Sequence, residues 1–320
     1  MPNISNVLGV SAADINKVIN VAEADIDQVI GYDLVTFENT KSLFTDGVND
    51  FVTITLSSDI IPHNSGSISS WVKVDSSNTS TKFFYSIYDD SATSRGRIEL
   101  QYFNTSGSNV FALNGAFRDE IASNSFAVRM CNAKTHPDHH GEPWNRIAST
   151  YGPFNHATDT IYNANAMKGN WHHVVWTWNK DATYTYDGTT YNGRMRLYFD
   201  GVKVNEGVSS FASHNGTGTA QGLAGISLGT TFDKIRIGAR FNENNDIDCL
   251  TDELAIFDGE LTDAQAAALY NNGVPGDVSS QVSNTLVGWW RFEGNLNDSS
   301  TNGNNGVASN GATFSTDVPS

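Results

Sequence analysis

The chain is poor in basic residues, cysteine, proline and long apolar runs, and each shortage removes a class of protein. Lysine and arginine number 19 against 35 aspartates and glutamates in 320 residues, a formal net charge of −16. The basic residues are scattered, so the chain lacks the clustered cations that neutralise nucleic-acid phosphates. With only Cys131 and Cys249, a disulfide framework is excluded. What remains is one bridge between them or, as expected here, two reduced and mostly buried thiols. No apolar run reaches membrane-spanning length, so membrane insertion is not expected. Residues 1–5 (Met1-Pro2-Asn3-Ile4-Ser5) show neither the basic start nor the apolar core of a secretory signal, and synthesis in a cytosol is expected.

What is abundant points to β structure. Glycine numbers 28, aromatic residues make up 11%, charged residues only 17%, and Asn, Ser and Thr fill the gaps between apolar runs. The most informative stretch is 169–228. In its first run Trp171, His173, Val175 and Thr177 alternate with His172, Val174, Trp176 and Trp178, a period only a strand satisfies. Further on, Asp200-Gly201 sits between two β-rich arms, which predicts a type I′ turn because both central positions need positive φ. Other strands are predicted at 67–74, 83–88, 97–103, 109–113, 234–238, 250–257 and 286–292. Residues 42–54 read as strand, tight turn, strand.

Three segments depart from this rhythm. In the arm, residues 1–36, an eleven-residue unit recurs three times: Ile4, Val7, Leu8; Ile15, Val18, Ile19; Ile26, Val29, Ile30. Its i, i+3, i+4 spacing predicts short helices, with a Gly or Asn stopping each unit and Asp14 and Asp25 near helix starts. Such units cannot bury an apolar face alone, so these nine residues are candidate attachment residues. The insertion at 114–168 loses periodicity. Between 261 and 273 a helix is predicted, with Thr262 as N-cap, Gln265 completing a capping box and Gly273 as the stop.

Five blocks in order carry a family resemblance: Asp46-Gly47-Val48-Asn49-Asp50-Phe51-Val52, Ile68-Ser69-Ser70-Trp71-Val72, Trp171-His172-His173-Val174, Leu197-Tyr198-Phe199-Asp200-Gly201, and Asp252-Glu253-Leu254-Ala255-Ile256-Phe257 followed by Leu261-Thr262-Asp263-Ala264-Gln265. Residues 40–275 thereby resemble laminin-G-like, concanavalin-A-like jelly-roll domains. The resemblance implies an all-β two-sheet sandwich over 37–320. The stretch 286–314, with Trp289-Trp290-Arg291-Phe292, looks like the block that usually begins such domains. Coming last here, it implies a circularly permuted order in which strands within 285–316 return beside 41–54. The layout as a whole resembles structural proteins of tailed bacteriophages. It implies a non-enzymatic virion-surface component, a capsid decoration or fibre, made in the host cytoplasm. Its arm would bind other virion proteins, its jelly roll would display a lectin-like surface, and it would be a homo-oligomer in the particle. The rival is a carbohydrate-binding module or glycoside hydrolase of a tail fibre.

Four sites follow for testing. Calcium, which the resemblance implies and hard oxygens in turns would suit, has Asp46, Asn49, Asp50, Asp252, Asp298 and Asn305 as candidates, against the reading that Asp46 and Asp298 only form turns. Cys131, His136, His139 and His140 have the residue types of a zinc site at no standard spacing. Asp246, Asp248 and Asp252 alternate and could furnish a hydrolase pair, although the Glu-x-Asp-x-x-Glu pattern of such hydrolases is absent. Trp144, Tyr151, Phe154 and His156 have the composition of a sugar-stacking surface or of a contact with another subunit.

Overall fold

The structure, a computed structural model, describes residues 6–7, 10–11, 37–78, 82–90, 97–103, 125–131, 147–152, 168–186, 188–206, 209–210, 231–241 and 246–320. The chain divides into two compact units, Met1–Glu38 and Asn39–Ser320. In the first, β1 (Asn6–Val7) pairs antiparallel with β2 (Val10–Ser11), Val7 opposite Val10. Val7 therefore lies in a β pair and not on the predicted helical face. One eleven-residue unit is too short to nucleate a helix without support. The other eight attachment residues lie outside the described residues.

The second unit contains two eight-stranded sheets. Sheet one runs β12 (Val202–Glu206), β11 (Thr189–Phe199), β10 (His172–Tyr186), β5 (Ser65–Val74), β15 (Asp248–Asp258), β3 (Ser42–Asp46), β18 (Thr313–Ser315), with β16 (Leu286–Trp290) also paired to β15. Sheet two runs β13 (Ser209–Ser210), β9 (Ile147–Gly152), β8 (Ser125–Cys131), β7 (Arg97–Phe103), β6 (Lys82–Tyr88), β14 (Lys234–Ile237), β4 (Phe51–Thr55), β17 (Gly306–Ser309). Val174, Trp176, Trp178, Met195, Leu197 and Ile256 from sheet one share one core with Val52, Ile54, Ile87, Ile98, Leu100 and Ile235 from sheet two. The alternation that predicted strands decides which side chains enter this core. The chain is a jelly-roll β-sandwich. Its C-terminal strands complete both sheets: β16 lies on β15, β17 on β4 and β18 on β3.

The details sharpen several expectations. Asp200 (φ 48°) and Gly201 (φ 77°) form the predicted turn between β11 and β12. The turn at Asp46–Asp50 closes no hairpin, because β3 and β4 belong to different sheets and the turn carries the chain across the sandwich. The 114–168 insertion contains β8 and β9, which extend sheet two; the strand predicted at 109–113 lies outside the described residues. Helix α1 (Asp263–Tyr270) has the Thr262–Gln265 capping box, but its left-handed C-cap is Asn271 and not Gly273. The linker expected at 277–284 carries α2 (Val278–Gln281), capped by Asp277. Cys249 is a buried free thiol, its pKa pushed up to about 12 by burial, which rules out the bridge. Among the described residues no helix is long and apolar enough to cross a membrane.

Candidate functional site

The face of sheet two turned away from the core is unusually polar for a buried surface. On β7, Ile98, Leu100 and Tyr102 enter the core, so Arg97, Glu99 and Gln101 take the opposite side. Register extends this side across neighbouring strands: Gln101 pairs with Phe83, Glu99 with Ser86, and Ser86 with Arg236. In the other direction the backbone register carries the Gln101 row to Ala127 and Tyr151, which places Tyr151 on β9.

Planar charged groups and rings interleave on this face. Glu99 Oε1 lies 3.1 Å from Arg97 Nε and 3.2 Å from Arg240 Nε. The Arg97 guanidinium stands 4.9 Å from the Phe241 ring, that of Arg240 4.9 Å from Phe83, and that of Arg236 4.6 Å from Phe51. Arg236 Nη1 also donates to the Phe241 carbonyl at 2.6 Å. Amid these paired groups Ser86 Oγ and Gln101 Oε1 are buried without a hydrogen-bond partner. An unmet buried polar atom costs about 1–3 kcal/mol, which a ligand hydroxyl or an ordered water recovers.

A second polar centre lies at the β15 bulge, where pairing with β5 slips between Asp252 and Ala255. Glu253 adopts φ 48° there, a left-handed conformation that side chains with a Cβ rarely take. Its carboxyl accepts from Trp289 Nε1 at 2.6 Å and Arg291 Nε at 3.4 Å. Asp252 Oδ1 accepts from the Glu253 amide at 3.0 Å, while its Oδ2 is buried without a hydrogen bond of normal geometry. Burial, then the Glu253 charge, hold the Asp252 pKa well above the carboxylate range. Burial likewise pushes Glu253 up to about 8, against the opposing pull of Arg291 and Trp289.

The calcium candidates do not converge. Asp46 and Asp50 share the crossing turn: Asp46 Oδ1 accepts from the Val48 amide at 2.9 Å, and burial and Asp46 together raise the Asp50 pKa. The Asn49 carbonyl accepts from Asn310 Nδ2 at 3.0 Å. Asp298 is a turn former: Oδ1 accepts from the Trp289 and Ser300 amides, Oδ2 from that of Asn304, while Asn305 Oδ1 accepts from the Asp298 amide. Asp252 is sealed at the bulge and is no ligand of such a set. Among the described residues no three His, Cys, Asp or Glu side chains are grouped to hold a metal. For hydrolysis, Asp248 and Asp252 lie four residues apart on β15, about 13 Å at strand rise, beyond the roughly 5–9.5 Å of a glycosidase pair. Burial raises the pKa values of Asp246 and Asp248, with Asp46 adding to both.

Trp144, Phe154 and His156 lie outside the described residues, as do His136, His139 and His140. His172 and His173 are sheet residues. His173 Nε2 lies 2.8 Å from Ser69 Oγ, with burial depressing its pKa to about 3, and His172 Nδ1 lies 2.9 Å from Asp200 Oδ2. Sequence reasoning missed Ser86, Gln101 and Glu253. The polar alternation Arg97-x-Glu99-x-Gln101 was visible, but nothing local marked its partners on other strands.

No protein-family model matches the chain, and no curated protein sequence matches it. Among solved structures, the native heptameric SAP-like pentraxin from Limulus polyphemus is similar at 13% identity and TM-score 0.45, covering 86% of this chain and 94% of that one. The botulinum neurotoxin serotype D binding domain is similar at 13% identity and TM-score 0.40 over 76% of this chain, and mouse laminin alpha1 domains LG4-5 at 10% and 0.38 over 71%. This chain spans 45% and 44% of the length of those two. The likenesses are distant; the jelly-roll assignment rests on the sheets and register described above.

Proposed function

We propose that this chain is a non-enzymatic, lectin-like binding protein of a virion surface, which takes a hydroxyl-rich ligand, a glycan, on the outward face of sheet two. The observation that carries this reading is the pair of buried, unpartnered acceptors Ser86 Oγ and Gln101 Oε1 beside the Phe83 position, in register with Tyr151. Sugar recognition requires both elements, a ring for the apolar face of a pyranose and fixed polar atoms for its hydroxyls. The roughly 13 Å between Asp248 and Asp252 argues against those two as a hydrolytic pair. The repeat arm supports attachment: three apolar eleven-residue units need a partner surface, which other virion proteins would supply in a homo-oligomeric assembly.

A glycan array probed with the full chain, followed by titration of the best hit, tests the ligand. Gln101→Leu and Tyr151→Ala are each expected to weaken binding about tenfold or more while the chain stays folded. No hit, or hits indifferent to both substitutions, defeats the site. For the arm, deleting residues 1–36 is expected to leave a folded jelly roll that no longer enters particles; normal occupancy would remove the anchor.

A further inference from the structure

Among the described residues, the segment that leaves β14 lies over the outward face of sheet two. Phe83, opposite Gln101 in the register, is only 3% exposed, whereas the Arg240 side chain laid over its ring keeps 18%. At Gly238 the chain turns off β14 with φ 88°, and a Cβ there would stand 2.6 Å from Thr45 Cγ2, so only glycine makes the turn. A short neck then fixes the loop. The Ile247 amide donates to the Gly238 carbonyl at 2.9 Å, and the Gly238 amide to the Phe84 carbonyl at 2.7 Å. Beyond the neck Arg236, opposite Ser86 in the register, holds the backbone down: its Nη1 donates to the Phe241 carbonyl at 2.6 Å and to that of Arg240 at 3.4 Å.

The two side chains of this strap rest on groups that a sugar would use. The Arg240 guanidinium lies 4.9 Å from the Phe83 ring centroid, with Nε 3.2 Å from Glu99 Oε1. The Phe241 ring stands 4.9 Å from the Arg97 guanidinium and 6.0 Å from the Tyr88 ring. A flat guanidinium on an aromatic face, giving an N–H to a fixed acceptor, offers what a pyranose offers: a face for the ring and a polar hydrogen for the acceptor.

We propose that Arg240 is a built-in competitor for the glycan seat, held on Phe83 by the strap until a sugar ring displaces it. This rests on the glycan reading above and adds how that site opens. Two features permit the exchange. Arg97 Nε remains 3.1 Å from Glu99 Oε1, so the carboxylate keeps a cation when Arg240 leaves. The Arg240 side chain already reaches solvent, where its charged end regains water. The uncovered Phe83 ring and the unmet Gln101 Oε1 then serve one ligand. Apparent affinity is reduced by the fraction of chains in which Arg240 still covers the ring.

The test runs the glycan array with the full wild-type chain and with Arg240→Ala, then titrates the strongest-binding oligosaccharide against both. Arg240→Ala is expected to bind it about three- to thirtyfold more tightly, the gain from removing one cation–π contact. Wild-type hits that Arg240→Ala binds equally or more weakly overturn the competitor and leave the glycan reading standing. No hit from either chain overturns the glycan reading, and the competitor with it. If Arg240→Ala does not fold, the Arg240 Nε–H resonance of the wild-type chain decides, assigned with Arg240→Lys. The Phe83 ring current sets it apart in the free chain, and saturation with the same oligosaccharide should return it to the position of a solvated arginine. A resonance unmoved at saturation overturns the competitor.

Discussion

Asp298 and Asp252 are both nearly closed to solvent, yet their surroundings treat them in opposite ways. At Asp298 three backbone amides converge on the carboxylate, from Trp289, Ser300 and Asn304. Asp252 receives one backbone amide, from Glu253, and has only the Asn39 side chain as a further, weaker partner beside a second acid. A carboxyl satisfied by amides organises a loop, whereas burial beside a second acid holds the Asp252 pKa well above the carboxylate range. Residue type and burial alone would have grouped them. Their partners separate them.

The largest effect should come from the satisfied acid. Asp298→Ala leaves three amides without their acceptor and is expected to cost about 3–5 kcal/mol, read from the shift in chemical denaturation midpoint. A loss below about 1 kcal/mol would show that water takes over those amides, and the contrast would weaken.

Next is pH. From about pH 4.5, where Glu253 of the unfolded chain loses its proton, to about pH 8, where native Glu253 does, the wild-type chain should lose stability, and the curve should level off above that. The Glu253→Gln curve should be less steep over the same range, with the slope that burial gives Asp252 remaining; parallel curves would assign the whole slope to other groups. Asp252→Asn comes third. Replacing an uncharged acid with an amide of the same shape should change stability by less than about 1 kcal/mol, in contrast to the same change at Asp298. A loss as large as that of Asp298→Asn would mean that Asp252 is charged in the native chain. The smallest effect belongs to the surface. Asp317 accepts from Trp171 Nε1 at 2.8 Å and Lys73 Nζ at 2.5 Å, so Asp317→Asn should cost about 0.5 kcal/mol. Chelator addition, in turn, should leave the melting temperature unchanged if the Asp46 turn holds no calcium.

Much of the scaffold was legible because strand periodicity is local. The alternation around Trp176 and Trp178, the Asp200-Gly201 turn and the Thr262–Gln265 cap each depend on residues within a few positions. The order of blocks, with Trp289-Trp290 last, likewise pointed to the tail that completes both sheets. The candidate site was far less legible. Ser86 and Gln101 look like ordinary strand residues until register sets them beside Glu99, Arg236 and Phe83. Of the four ligand candidates chosen by composition, only Tyr151 lies among the described residues, and only register relates it to that face.

By itself the sequence determined what a repeating local pattern can encode: strands, turns, one capped helix and which side of each strand is apolar. Tertiary structure decided whether a polar residue meets partners. Asp298 is supplied by its own loop, while Asp252 and Glu253 depend on segments about 40 residues downstream and more than 200 upstream. Hydrogen bonds act over about 3 Å of space whatever the distance along the chain, so the fate of a buried carboxyl is settled only when those segments arrive.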